Sequence, residues 1–155
     1  MRRNELEIKD REAILDIINQ AEICRIALYD DEYPYIVPLN FGFEEKTGLI
    51  LYFHCARKGK KLDLIRQNNK VCFEIESHTK LESGNKPCNW SMRYKSVIGF
   101  GTIDIIRDES EKIRGLNILM RHYAEKEVFQ YNKALLRKTL ILKLIVSHLS
   151  AKSHG

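Results

Sequence analysis

Apolar residues recur along the chain with two different periods. Between Asp10 and Ala21, the residues Ala13, Ile14, Ile17, Ile18 and Ala21 fall at helical spacing and predict a short amphipathic helix with one face for a core. The pattern then changes to short runs rich in β-branched and aromatic residues, "CRIALY", "YIVPLNFGF" and "GLILYFH", parted by the turn-forming "YDDEYP" and "EEKTG". Turns of that length join antiparallel neighbours, so this stretch predicts a meander. Leu62 and Ile65 give a brief helix after Gly59 that stops at "QNNK", and "VCFEIE" resumes strand alternation with Val71, Phe73 and Ile75 on one face. The polar "SHTKLESGNKPCN" reads as a loop. "MRYKSVIGFGTIDIIR" reads as a long strand in which Gly99 and Gly101 suit a bend or bulge. Glu109 to Tyr123 is the strongest helical pattern, with Ile113, Leu116, Met120 and Tyr123 on one stripe, and "TLILKLIVS" closes the chain as a strand.

Short strands separated by turn-length gaps, with few and peripheral helices, predict a mainly β, α+β architecture in which an antiparallel barrel carries its helices outside. A parallel sheet is disfavoured, because the strands before Gly59 follow one another without crossover helices. The 155 residues fit one domain, 1–155, with no repeat or linker to divide it. With 44% hydrophobic and 30% charged residues the chain reads as an ordinary globular protein, and no apolar stretch reaches a membrane span. Its beginning, "MRRNELEIKDRE", is charged rather than leader-like, so a cytoplasmic location is expected. Cys24, Cys55, Cys72 and Cys88 show no CxxC spacing, and three of them lie in apolar strand-like runs, which points to a reduced compartment rather than a zinc site. The net charge of +5 favours an anionic partner without choosing among nucleic acid, an acidic surface or a single phosphate.

One stretch is more specific. "LYFHCARKGKKLDLI", Leu51 to Ile65, runs from strand to helix across a single glycine flanked by Arg57, Lys58, Lys60 and Lys61. A helix start presents positive charge and favours acidic side chains, whereas this one is crowded with cations. Two readings fit: a solvated basic turn, or a site for an anion such as a phosphate held by free N–H groups and by Arg57, Lys60 or Lys61. His54 and Cys55 are adjacent and so face opposite sides of a strand, which argues against a shared metal, while His54 is placed to line a pocket before the turn. "GFGTID" lacks the third glycine of a dinucleotide fingerprint and lies in a strand, so it is assigned to barrel curvature. "PCNWSMRYKSV" sets Trp90 and Tyr94 among Arg93, Lys95 and Ser96, a mixture suited to stacking on a flat ring or to a subunit interface. His78, His122, His148 and His154 have no partner evident in the sequence and are expected at the surface.

Taken together and in this order, "PYIVPLNFGF", "LYFHCARKGKKLDLI", "VCFEIE" and "CNWSMRYKSVIGFGTI" resemble the FMN-binding split barrels of the pyridoxamine 5'-phosphate oxidase-like family, specifically the nitroimidazole-resistance branch. The resemblance runs from about Arg2 to the final strand. It implies a homodimer of split barrels with flavin sites at the interface. It further implies that His54, Cys55, Ala56, Lys60 and Lys61 hold the FMN phosphate, that Val37, Pro38, Leu39 and Asn40 line the ring, and that Trp90, Tyr94, Ser96 and Val97 approach from the other subunit or its edge. Cys55 stands where the family more often has a small hydroxyl residue, and the ending "SHLSAKSHG" lacks the arginine-rich segment with which the true oxidases grip their phosphorylated substrate.

The function expected is therefore an FMN-dependent oxidoreductase that passes electrons to a small planar acceptor, a nitroaromatic such as a nitroimidazole, with His54 as the candidate catalytic residue. A flavin-binding sensor or carrier without turnover is the alternative. A nucleic-acid-binding barrel using the same basic and aromatic surface is the least favoured.

Overall fold

A computed structural model describes residues 4–124 and 129–155, so Met1, Arg2 and Arg3 of the charged N-terminal stretch lie outside the described residues. The elements in chain order are β1 (Glu7–Ile8), α1 (Arg11–Gln20), β2 (Cys24–Leu28), β3 (Tyr35–Leu39), β4 (Phe41–Glu45), β5 (Leu49–Ala56), α2 (Lys60–Gln67), β6 (Lys70–Glu82), β7 (Ser91–Ile106), α3 (Glu109–Tyr123), α4 (Lys133–Lys138) and β8 (Thr139–His154). The strands form one antiparallel sheet in the order β3-β2-β6-β7-β8-β5-β4, with β1 added beside β8. β3 and β4 are the two ends of that hydrogen-bonded path, yet only Asn40 separates them in sequence. Two peptide steps span at most ~7.6 Å between Cα atoms, so the sheet has to curl until its ends meet. This is the antiparallel split barrel expected from the sequence.

The meander is corrected by the same topology. β2–β3 and β4–β5 are hairpins, but "YIVPLNFGF" crosses from one end of the sheet to the other, and β2 and β5 find their second neighbours far along the chain, in β6 and β8. The predicted loop "SHTKLESGNKPCN" is corrected too. β6 continues through Glu82, paired with β7 across an irregularity between Ser77 and Lys80. Because β2 pairs with β6 only from Cys72 to Ile75, β6 and β7 run on beyond the barrel as an arm, flanked by the end of β8. The bend anticipated at the β7 glycines is present as a register shift between Phe100 and Gly101.

The barrel interior is apolar, with Ile26, Phe41, Leu51, Phe53, Phe73, Ile75 and Leu142 all essentially inaccessible. α1 contributes Ile14, Ile17 and Ile18 to this core, and its start is fixed by Asp10, whose carboxylate accepts the N–H of Ala13 at 2.8 Å. α3 starts in the same way, with Asp108 accepting from Glu111 at 3.0 Å, and it packs on β4, β5 and β8. Its buried residues are Lys112, Gly115 and Leu119, rather than the stripe Ile113, Leu116, Met120 and Tyr123, of which the first three are half-buried and Tyr123 is exposed. Two features rotate the helix. Gly115 admits close contact with Ile141 and Tyr52, and the Lys112 ammonium reaches inward to donate to the Leu136 carbonyl. On the facing strand, a Cβ at Gly42 would stand 2.4 Å from the Leu119 Cα and 2.5 Å from the Ile118 carbonyl oxygen. Backbone cannot yield as a side-chain tip can, so Gly42→Ala is expected to lower stability by about 1–3 kcal/mol in urea unfolding. An unchanged midpoint would mean that α3 does not sit this close to β4.

Candidate functional site

The basic turn is built by the end of β5 and the start of α2. Gly59 precedes the helix with φ 134° and ψ 157° and offers no side chain to cap it, unlike the aspartates before α1 and α3. The Leu62 N–H is satisfied by the Gly59 carbonyl at 2.9 Å, leaving the N–H groups of Lys60 and Lys61 open at the helix start. A Cβ built on Gly59 meets nothing within 4 Å, so there is free space in front of the turn. A phosphate fits this arrangement: open N–H groups, room, and cations at the positive end of the helix.

The cations are not equivalent. Lys60 Nζ lies 2.5 Å from Asp30 Oδ2 and 5.0 Å from the centre of the Tyr35 ring, and the hydrogen bond to Asp30 raises the lysine pKa. Arg57 donates to the Arg137 carbonyl at 3.0 Å, which ties the turn to α4. Lys61 has no hydrogen-bond or ion-pair partner among the described residues. Sequence reasoning did not identify Asp30 and Tyr35. Asp30 lies in the acidic run "YDDEYP", which read only as a turn, and Tyr35 opens the strand run after it; the structure brings both to Lys60 at the β2–β3 hairpin.

His54 and Cys55 face opposite sides of β5, as their adjacency requires. His54 points outward, whereas the Cys55 side chain is only 6% exposed and belongs to the core. Burial pushes the Cys55 thiol pKa up against the opposing pull of Lys61, so this thiol is a poor candidate for contact with an anion and only its backbone is placed to help. Burial of the imidazole, reinforced by the positive charge of Lys61, lowers the His54 pKa. Ala56 ends the strand on the outward side. Carrying the register Phe41↔Phe53 one residue further sets Asn40 across from His54. Pro38 on β3 and Asn40 just after it face out while Val37 and Leu39 lean on the core, and the far edge of β3 pairs with no described strand. Pro38 suits such an edge because it has no N–H to waste. The structure therefore groups Pro38, Asn40, His54, Ala56 and Lys61 beside the edge of β3.

It does not bring Trp90, Tyr94, Ser96 or Val97 to this group. Ser96 pairs with Lys152 and His54 with Ile141, eleven residues apart on β8; across the sheet β6 and β2 stand between β7 and β3, and the Ser96 side chain is buried. Trp90 and Tyr94 lie farther out along the arm, with Trp90 52% exposed. Val97 is fully buried among core side chains, so its side chain is unavailable to any ligand. The remaining histidines have partners the sequence did not reveal. His122 Nε2 lies 2.7 Å from the Ala21 carbonyl oxygen and packs on Phe41, His148 lies against Phe100, His154 stacks on Tyr94, and His78 contacts Ser77.

The comparisons with known proteins match the fold. A family model described as pyridoxamine 5'-phosphate oxidase matches residues 10–153. A candidate 5-nitroimidazole antibiotic resistance protein from Bacteroides thetaiotaomicron is 34% identical, with a TM-score of 0.82 over 96% of this chain and 86% of its own. A flavocytochrome from Azotobacter vinelandii (17% identity, TM-score 0.81, 100% and 72% covered) and an FAD- and heme-binding protein from Mycobacterium smegmatis (22%, 0.79, 96% and 74%) share the fold. No curated protein matches the sequence.

Proposed function

The chain belongs to the pyridoxamine 5'-phosphate oxidase-like split-barrel family, on its nitroimidazole-resistance branch, and from that premise we propose that residues 1–155 form one cytoplasmic FMN-binding domain that reduces a small planar acceptor. The observation that carries the reading is the uncapped start of α2, where open N–H groups and Lys61 await an anion one turn beyond the outward-facing His54. FMN bound there supplies the electron transfer, and a nitroaromatic such as a nitroimidazole is the acceptor class.

This chain's own residues do the rest. Lys61 and the first N–H groups of α2 bind the phosphate, and Lys60 joins them by leaving Asp30. Val37, Pro38, Leu39 and Asn40 offer the ring the free edge of β3, while Cys55 and Ala56 contribute backbone. His54 would exchange a proton with the acceptor through its outward imidazole. Trp90, exposed on the arm, would approach the ring from a second copy, and the working form is then a homodimer.

The test is direct. The purified protein is expected to show a flavin absorption spectrum at about one FMN per chain and to oxidise reduced nicotinamide when a nitroimidazole is added. Bound flavin without turnover would leave a carrier or sensor, and failure to take up FMN would sink the proposal. Asp30 gives a finer check, because its carboxylate competes with the phosphate for Lys60. Asp30→Asn is expected to tighten FMN binding by about two- to fivefold, the modest gain fitting a partly exposed pair. Weaker binding would mean that Asp30 positions Lys60 rather than competing for it.

A further inference from the structure

The arm has a cavity of its own. His78, Thr79 and Lys80 from β6 and Arg93, Tyr94 and Lys95 from β7 line a space of about 360 Å³, with Gly155 beside Arg93. The irregularity in the β6–β7 ladder creates it. Ser77 pairs with Lys95 and Lys80 with Arg93, so His78 and Thr79 together oppose Tyr94 alone. His78 adopts φ 56°, a left-handed conformation that a side-chain-bearing residue enters at a cost, and bulges of this kind re-aim side chains.

The lining is basic and aromatic without an acidic side chain. Among the described residues Lys80 and Lys95 have no carboxylate partner, whereas Arg93 is engaged by Glu82 at 2.5 Å. The Tyr94 ring is pre-set: it stacks with His154 at 6.1 Å between centroids and 21° between planes, and Lys152 Nζ lies 4.9 Å over it. The space exceeds what a bare phosphate needs and falls in the range of small-molecule sites. A flat ring against Tyr94 and an anionic group between Lys80 and Lys95 would satisfy both parts of the lining.

We infer that this cavity binds a nucleoside phosphate carried by a redox dinucleotide. Two sources share that chemistry, the adenylate half of FAD and a reduced nicotinamide dinucleotide acting as electron donor. The cavity stands on the arm's residues alone, and only its use in turnover rests on the proposed function.

The test starts with AMP, titrated calorimetrically into the full-length protein saturated with FMN. One AMP per chain is expected, with inorganic phosphate binding at least tenfold more weakly. Lys80→Ala/Lys95→Ala should weaken AMP at least tenfold, and Tyr94→Leu should weaken AMP but leave phosphate unchanged. The FMN titration of the lysine variant should match that of the wild type, which keeps a failure here distinct from a failure of the flavin site. If the source is FAD, the wild type prefers FAD to FMN and the lysine variant loses that preference. If it is the donor, FAD and FMN bind alike and the variant loses affinity for reduced nicotinamide dinucleotide. No AMP binding, equal affinity for AMP and phosphate, or AMP binding with neither dinucleotide sensitive to the lysines overturns the inference.

Discussion

Replacing Lys60 and Lys61 together by alanine is expected to weaken FMN binding by about 100-fold or more, since each lost hydrogen bond from a cation to a phosphate oxygen costs about tenfold or more. The two lysines should contribute differently. Lys61 has no competing partner among the described residues, so Lys61→Ala should show the plain loss of one contact. Lys60→Ala removes a cation and also leaves the Asp30 carboxylate exposed to the phosphate, adding repulsion to the lost attraction. Restoring neutrality with Asp30→Asn in the Lys60→Ala background should therefore recover part of the affinity. A fluorescence titration of FMN with these variants reads all of these effects. Unchanged affinity in the double lysine variant would place the phosphate elsewhere on the barrel.

The basic turn was legible in the sequence because its anomaly is local. A helix start with glycine in front and lysines in its first turn conflicts with the dipole whatever the rest of the chain does. Strand alternation gave most of the sheet for a similar reason: Val71, Phe73 and Ile75 face inward as predicted. Long-range pairing left no such trace. That "YIVPLNFGF" joins the two ends of the sheet, or that Asp30 lands on Lys60, depends on which distant strands pair, and neither periodicity nor turn chemistry encodes it. The arm was missed because "SHTKLESGNKPCN" is polar. A ribbon that leaves the barrel has no core to face, so it needs no apolar alternation. The α3 stripe was misplaced because Gly115 and Lys112 occupy its inner face, and neither is scored as apolar although both are buried there.

His54→Ala is expected to keep FMN and to slow reduction of a nitroimidazole by about tenfold or more, a positioned proton donor usually contributing ~10²–10⁴. The structure adds a sign that the sequence could not supply. Both burial and the charge of Lys61 disfavour the imidazolium, so the His54 pKa lies below its ordinary value near 6.5 and the ring is neutral at neutral pH. Proton donation by His54 should accordingly strengthen as pH falls, and the wild-type rate should rise toward acid with an inflection below 6.5, an inflection that His54→Ala lacks. Stability moves the other way. What the fold gains from a neutral His54 is present above the unfolded-state value and is lost as pH falls below it, so the rate profile must be measured where the protein remains folded. Lys61→Ala removes one of the two causes and should shift the inflection upward even though it weakens cofactor binding, so it is measured at saturating FMN. The experiment is single-turnover reoxidation of dithionite-reduced protein by a nitroimidazole, followed by absorbance from pH 5.5 to 8. Equal rates and parallel pH profiles for wild type and His54→Ala would remove His54 from the chemistry and leave it a wall of the flavin site.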